Sequence, residues 1–284
     1  MNRREFLAGS AAAAGAPLVS SVAAADAGPG FHLGAVTYNL FKDTDLDTTI
    51  KLLEDGGFEG VELRTSHKHG VEPSIGAEER KRVRQRFERS KIRLVSYGTA
   101  VEFHSPDAAE RKRQIETGKQ FIDLARDTGA IGIKVRPNGF PKEVPRETTI
   151  RTIGEGVREV AEYGAKSNIQ VWMEVHGRDT NDPAVCARIM KVANHPNALI
   201  CWNSNDEEVV NGSIKSNFDL VKPWIRHVHI NELSKPYPWR ELFTLLRQAG
   251  YRGYTLAEVQ ESKEPERFLR WYRKLWTELS RPCS

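Results

Sequence analysis

The chain has 284 residues, 39% of them hydrophobic and 28% charged, with a formal net charge of +4. This near-balanced chain carries no lysine and arginine tract interleaved with aromatics, so no nucleic-acid partner is expected. Its three cysteines, Cys186, Cys201 and Cys283, are odd in number and lack metal-ligand spacing, which excludes a disulfide framework.

At the amino terminus Arg3-Arg4-Glu5-Phe6-Leu7 leads into a weakly apolar run from Ala8 to Val22, then alanines suited to cleavage after Ala25 or Ala27. Paired arginines before an Ala- and Gly-rich core have the form of a twin-arginine signal. Residues 1–27 are therefore read as an export leader, and the mature chain is expected in the periplasm or cell envelope. The run is shorter than the ~20 residues a spanning helix needs, so no membrane partner is expected after cleavage. Residues 28–284 then form one domain, because roughly 255 residues match a single α/β barrel.

Along that domain short apolar runs alternate with longer amphipathic ones, the pattern of βα units. Strands are predicted at His32–Tyr38, Gly60–Arg64, Ile92–Tyr97, Ile131–Arg136, Gln170–His176, Leu199–Asn203, His227–Asn231 and Tyr254–Val259. Between the first two, Leu46, Ile50 and Leu53 share a helix face that closes at Gly56. Arg80 to Arg86 reads as a solvated helix face. Trp239, Leu242, Phe243 and Leu246 mark another helix, closed at Gly250. In the last helix Phe268, Trp271, Tyr272 and Leu275 are expected to seal the barrel. The stretch from Gly57 to Leu63 resembles that from Gly250 to Leu256, each a helix end, a glycine and a strand. Eight such units predict a single (β/α)8 TIM barrel.

Function in such a barrel sits where strands end and βα loops begin. With a strand period of two, Glu174 pairs in direction with His176, Cys201 with Asn203, His227 with His229, and Leu256 with Glu258. Glu174, Asn203, His229 and Glu258 advance by 29, 26 and 29 residues, about one βα unit each, and so converge at one side of the mouth. Carboxylates, an amide and an imidazole suit one divalent ion, Mn²⁺, Mg²⁺, Co²⁺ or Zn²⁺. Cations also mark the ends of strands two and four. Glu62, Arg64, Lys134 and Arg136, with His67 and His69 in the loop after strand two, are candidate substrate contacts.

Trp172-Met173-Glu174-Val175-His176-Gly177, His227-Val228-His229-Ile230-Asn231 and Leu256-Ala257-Glu258 resemble the strand-five, strand-seven and strand-eight motifs of the xylose-isomerase-like barrel superfamily. The resemblance implies that Glu174, the strand-six residue, His229 and Glu258 are metal ligands, that His176 touches substrate, and that the two glutamates move protons. The superfamily usually has an aspartate at the strand-six position and a histidine three residues on. Here Asn203 and Asp206 stand there, a neutral amide with a carboxylate in reserve.

The resemblance implies a metal-dependent sugar isomerase or epimerase that removes a proton beside a carbonyl through an enediolate. Two alternatives stay open, a lyase or hydrolase of keto-glycosides using the same proton abstraction, and a sugar-binding barrel that has lost catalysis. A small carbohydrate is the expected partner. Relatives often pair, and Trp239 and Tyr237 are the aromatics expected to be exposed for a homo-oligomer.

Overall fold

All eight predicted strands form in a computed structural model that describes residues 30–282. They are β1 (His32–Val36), β2 (Gly60–Arg64), β3 (Arg93–Glu102), β4 (Gly132–Arg136), β5 (Gln170–Glu174), β6 (Ala198–Asn203), β7 (Ile225–Ile230) and β8 (Tyr254–Ala257). Each pairs in parallel with the next, and β8 pairs with β1 to close the barrel. Around it run α1 (Tyr38–Phe41), α2 (Leu46–Gly56), α3 (Ala77–Glu88), α4 (Ala108–Thr128), α5 (Arg146–Ala165), α6 (Pro183–Ala193), α7 (Lys215–Val221), α8 (Trp239–Gln248) and α9 (Pro265–Ser280). No helix among the described residues is long and apolar enough to cross a membrane. The proposed export leader and Cys283 lie outside the described residues.

Alternation along the strands divides the apolar residues between two cores. Val61, Leu63, Ile133, Val135, Val171, Met173, Val228 and Ile230 point outward and pack with the helices. Val36, Val95, Trp172, Leu199, Cys201 and Leu256 form a second cluster inside the barrel. The next inward positions toward the carboxyl ends are Glu174 on β5, Asn203 on β6 and Glu258 just past β8. The barrel interior is thus apolar toward one end and polar at the other.

Local chemistry sets the helix starts. Asp45, Asp107 and Asp182 each accept a backbone N–H of the first turn of α2, α4 and α6, relieving an orphan donor. The end of α2 differs from expectation. Gly57, with φ of +71°, is the left-handed cap, while Gly56 is the last helical residue and packs against Leu269.

Other corrections concern aromatics. Trp239 and Tyr237 are buried, so they offer nothing to a partner subunit. On α9 the packed residues are Leu269, Tyr272 and Trp276, whereas Trp271 and Leu275 face solvent. Of the residues expected to seal the barrel, Tyr272 and the half-buried Phe268 do pack, while Leu269 and Trp276 take the place of Trp271 and Leu275.

Candidate active site

The carboxyl ends of β5 to β8 bring the four predicted donors together. Asn203 is in register with His229, and Glu174 with Cys201 one strand away. Glu174 Oε1 lies 3.3 Å from His229 Nδ1, and Glu258 Oε2 lies 3.6 Å from the same nitrogen. Donor atoms of Glu174, His229 and Glu258 all fall within 4.8 Å of one another. Asn203 Nδ2 donates to Glu174 Oε1 over 3.3 Å, while Asn203 Oδ1 is buried with no hydrogen-bond partner. His229 Nδ1 is likewise buried and unpartnered. Buried polar atoms rarely stay unsatisfied, and turning the Asn203 amide over exchanges its two ends at the cost of one long bond. Two carboxylate oxygens, an imidazole lone pair and an amide oxygen then fit one divalent cation.

A second layer lies beneath these donors. Glu62 Oε2 accepts from Ser96 Oγ at 2.7 Å and from His227 Nε2 at 2.8 Å, and its Oε1 faces His229 Nε2 at 3.3 Å. His227 stacks on Trp172 with ring centroids 4.2 Å apart and an interplanar angle of 5°. Burial works against a charged Glu62, but His229 and His227 outweigh it and hold the carboxyl well below its usual range. With Glu62 beside Nε2, His229 turns Nδ1 toward Glu174 and Glu258, the arrangement by which a carboxylate orients a ligating imidazole.

Lys134 completes the cluster. Its Nζ donates to Glu174 Oε2 at 2.8 Å, and both side chains are almost fully enclosed. Burial opposes both charges, yet Glu174, Glu62 and Glu258 raise the Lys134 pKa, and Lys134 with His229 lowers that of Glu174.

Two predicted substrate contacts are thus enclosed elsewhere. Glu62 is fully buried under the donors, and Lys134 is spent on Glu174. His69 also leaves the group, because its Nε2 donates to the Arg64 carbonyl at 2.8 Å and its Nδ1 accepts from Val71 N at 3.1 Å. Asp206 is exposed in a short 3₁₀ turn, Asp206–Glu208, and falls outside the donor group. His67 and Arg64 stay half-buried at the mouth, where His67 Nδ1 meets Thr37 Oγ1 at 3.1 Å and Arg64 lies 5.4 Å from the Tyr38 ring centroid. Among the described residues Arg64 has no ion-pair partner.

His176 sits just past β5 and is tied to a chain of residues that the sequence pattern did not reveal. Asn138 Nδ2 donates to Glu102 Oε1 at 2.7 Å, so Asn138 Oδ1 is left to accept from His176 Nδ1 at 3.0 Å. Arg136 pairs with the same Glu102 oxygen. Burial lowers the His176 pKa, and the neutral ring keeps its Nε2 lone pair free. The available signals were the Pro137-Asn138-Gly139 turn, where Asn138 takes φ of +61°, and the length of β3, which carries Glu102 past its neighbours.

Cys201, His227 and His229 form another group of close donors. Burial pushes the Cys201 thiol up to about 12, and His227 is already committed to Glu62, so this trio belongs to the barrel interior. A cavity of about 500 Å³, lined by Ile131, Gln170, Ile225 and Tyr251 among others, opens at the strands' amino ends, away from the donors.

A sequence model of the xylose isomerase-like TIM barrel family matches residues 50–275. No curated protein matches the chain. Among solved structures, D-psicose 3-epimerase from Clostridium cellulolyticum H10, with D-tagatose, superposes with a TM-score of 0.77 at 16% identity, covering 89% of this chain and 100% of that one. The apo 3-keto-D-glucoside 4-epimerase from E. coli gives 0.72 at 14% identity, over 86% and 99%. An IolI protein with a bound zinc atom gives 0.70 at 13% identity, over 88% and 96%.

Proposed function

The chain belongs to the xylose isomerase-like TIM barrel family, and we propose that it is a metal-dependent sugar isomerase or epimerase that moves a proton at a carbon beside a carbonyl. One observation carries this reading. Carboxylate oxygens of Glu174 and Glu258, arriving from β5 and from just past β8, lie 3.3 and 3.6 Å from one imidazole nitrogen of His229. Two carboxylates set around one small site can serve the two faces of a sugar carbon. The sugar epimerases and the zinc-holding protein of similar fold support the reading.

A divalent ion held by Glu174, Asn203, His229 and Glu258 would polarise the sugar carbonyl and acidify the neighbouring C–H. The proton work falls to the protein. Glu174 is tied to Lys134, which stabilises its ionised form and makes it the weaker base. Glu258 is the more accessible carboxylate, with 16% of its side chain exposed, and takes the proton first. Passing the Glu258 proton to the adjacent carbon exchanges ketose and aldose, whereas loss of that proton to water and delivery of another from water to the opposite face, beside the ionised Glu174, inverts the same carbon. His176, through its free Nε2, accepts a sugar hydroxyl, and Arg64 and His67 contact the sugar's far end.

The test is solvent exchange. The whole chain, supplied with Mn²⁺ in D₂O, should place deuterium on a carbon of one member of a panel of free sugars, sugar phosphates and 3-keto-glycosides. Glu258→Gln should lower the exchange by about 10²–10⁴-fold, the usual contribution of a positioned base. Sugar binding without exchange in the unaltered protein would leave a binding barrel. Exchange accompanied by loss of a glycosidic group would identify elimination instead.

A further inference from the structure

Lys134 has a role that neither substrate contact nor simple packing describes. The polar layer holds three carboxylates, Glu62, Glu174 and Glu258, and one ammonium. That ammonium is spent on the single oxygen of Glu174 that does not face the donors. Glu174 Oε2 is held by Lys134 at 2.8 Å, while Oε1 lies 3.3 Å from both His229 Nδ1 and Asn203 Nδ2. A carboxylate pinned in this way has one oxygen to give a cation. The next donor along the ring, Asn203, is an amide and adds no charge.

We propose that Lys134 is a positioning residue that confines Glu174 to one donor oxygen and, together with the neutral Asn203, keeps the site's hold on a divalent cation weak and exchangeable. The inference rests on the reading that Glu174, Asn203, His229 and Glu258 hold a metal. Its physical basis is short-range charge. An ammonium bonded to a ligating carboxylate withdraws negative charge from the cation and repels it across a small, poorly hydrated gap. Lys134 is 4% exposed, so water screens this repulsion little. A rigid donor of reduced charge favours orientation over affinity.

The probe is Mn²⁺, titrated into the full chain and followed by the electron paramagnetic resonance of the free ion. Lys134→Met should tighten Mn²⁺ binding by about tenfold or more, because it removes a like charge at close range. Asn203→Asp should tighten it as well. Lys134→Gln serves if the methionine variant fails to fold, since its amide can still donate to Oε2 without charge, and it too should bind more tightly. Lys134→Arg, which keeps charge and donor, should stay near the original affinity. A purely structural Lys134 would lower the melting temperature without tightening the metal. Folded Lys134→Met or Lys134→Gln protein that binds Mn²⁺ no better than the unaltered chain would overturn the proposal while leaving the metal reading intact. Absence of Mn²⁺ binding in every form would overturn both.

Discussion

At position 98 a hydrogen atom stands where any other residue would put a carbon. A Cβ there would lie 2.5 Å from Glu62 Oε1, so the carboxylate that faces both barrel histidines depends on a glycine one strand away. Gly98→Ala should displace Glu62 and leave His227 and Ser96 without their acceptor. The expected cost is about 2–4 kcal/mol, in the range of overpacking combined with a broken buried polar network, measured by urea unfolding. An unchanged midpoint would show that Glu62 can move freely. Sequence period alone brought Glu174, Asn203, His229 and Glu258 to one mouth. It does not tell whether Glu62 is a substrate contact or is held by a buried partner. Partner choice among long side chains depends on the stagger between strands and on rotamers, and neither leaves a mark in the order of residues.

At the scale of elements, alternation and glycine punctuation made every strand legible, and β2 matches its expected bounds. Strand ends were less so, since β1 stops at Val36 and α1 begins at Tyr38, while β3 runs on to Glu102. A backbone leaves a sheet where its neighbour stops offering hydrogen bonds, which the local sequence does not record. Helix α9 shows the same limit. Its apolar residues fit two overlapping stripes, and contact with Gly56 and with the barrel selects the one through Leu269. Leu269→Ala should therefore cost about 2–4 kcal/mol, as buried leucines do, whereas Trp271→Ala should cost less than about 0.5 kcal/mol, as at exposed sites. Thermal melting of the two variants checks this, and equal losses would contradict the packing of α9.

For the molecule as a whole, closure of the barrel encloses several titratable groups whose protonation couples to folding. Burial lowers the pKa of His67 to about 4, with Arg64 and His69 adding to the effect, and burial likewise lowers His69, His176 and His227. The unfolded chain binds these protons first as pH falls. Their neutral forms support the fold fully above the ordinary imidazole pKa of about 6.5, and that support erodes between there and about 4 for His67. His67→Gln should reduce the fall in urea midpoint over this interval, and an identical pH profile would remove His67 from the account.

The sequence by itself determined the eight βα units, the inward parity of the donors and their spacing by one unit, because those follow from strand period and chain length. Only the tertiary structure decided that Lys134 binds Glu174, that Glu62 supports His229 from below, that His69 clamps its own loop and that Asp206 stays outside. Each of these is a contest between groups distant in the chain for one buried partner. Its outcome is set by a few ångströms of reach inside a closed barrel, where an unpaired charge is costly.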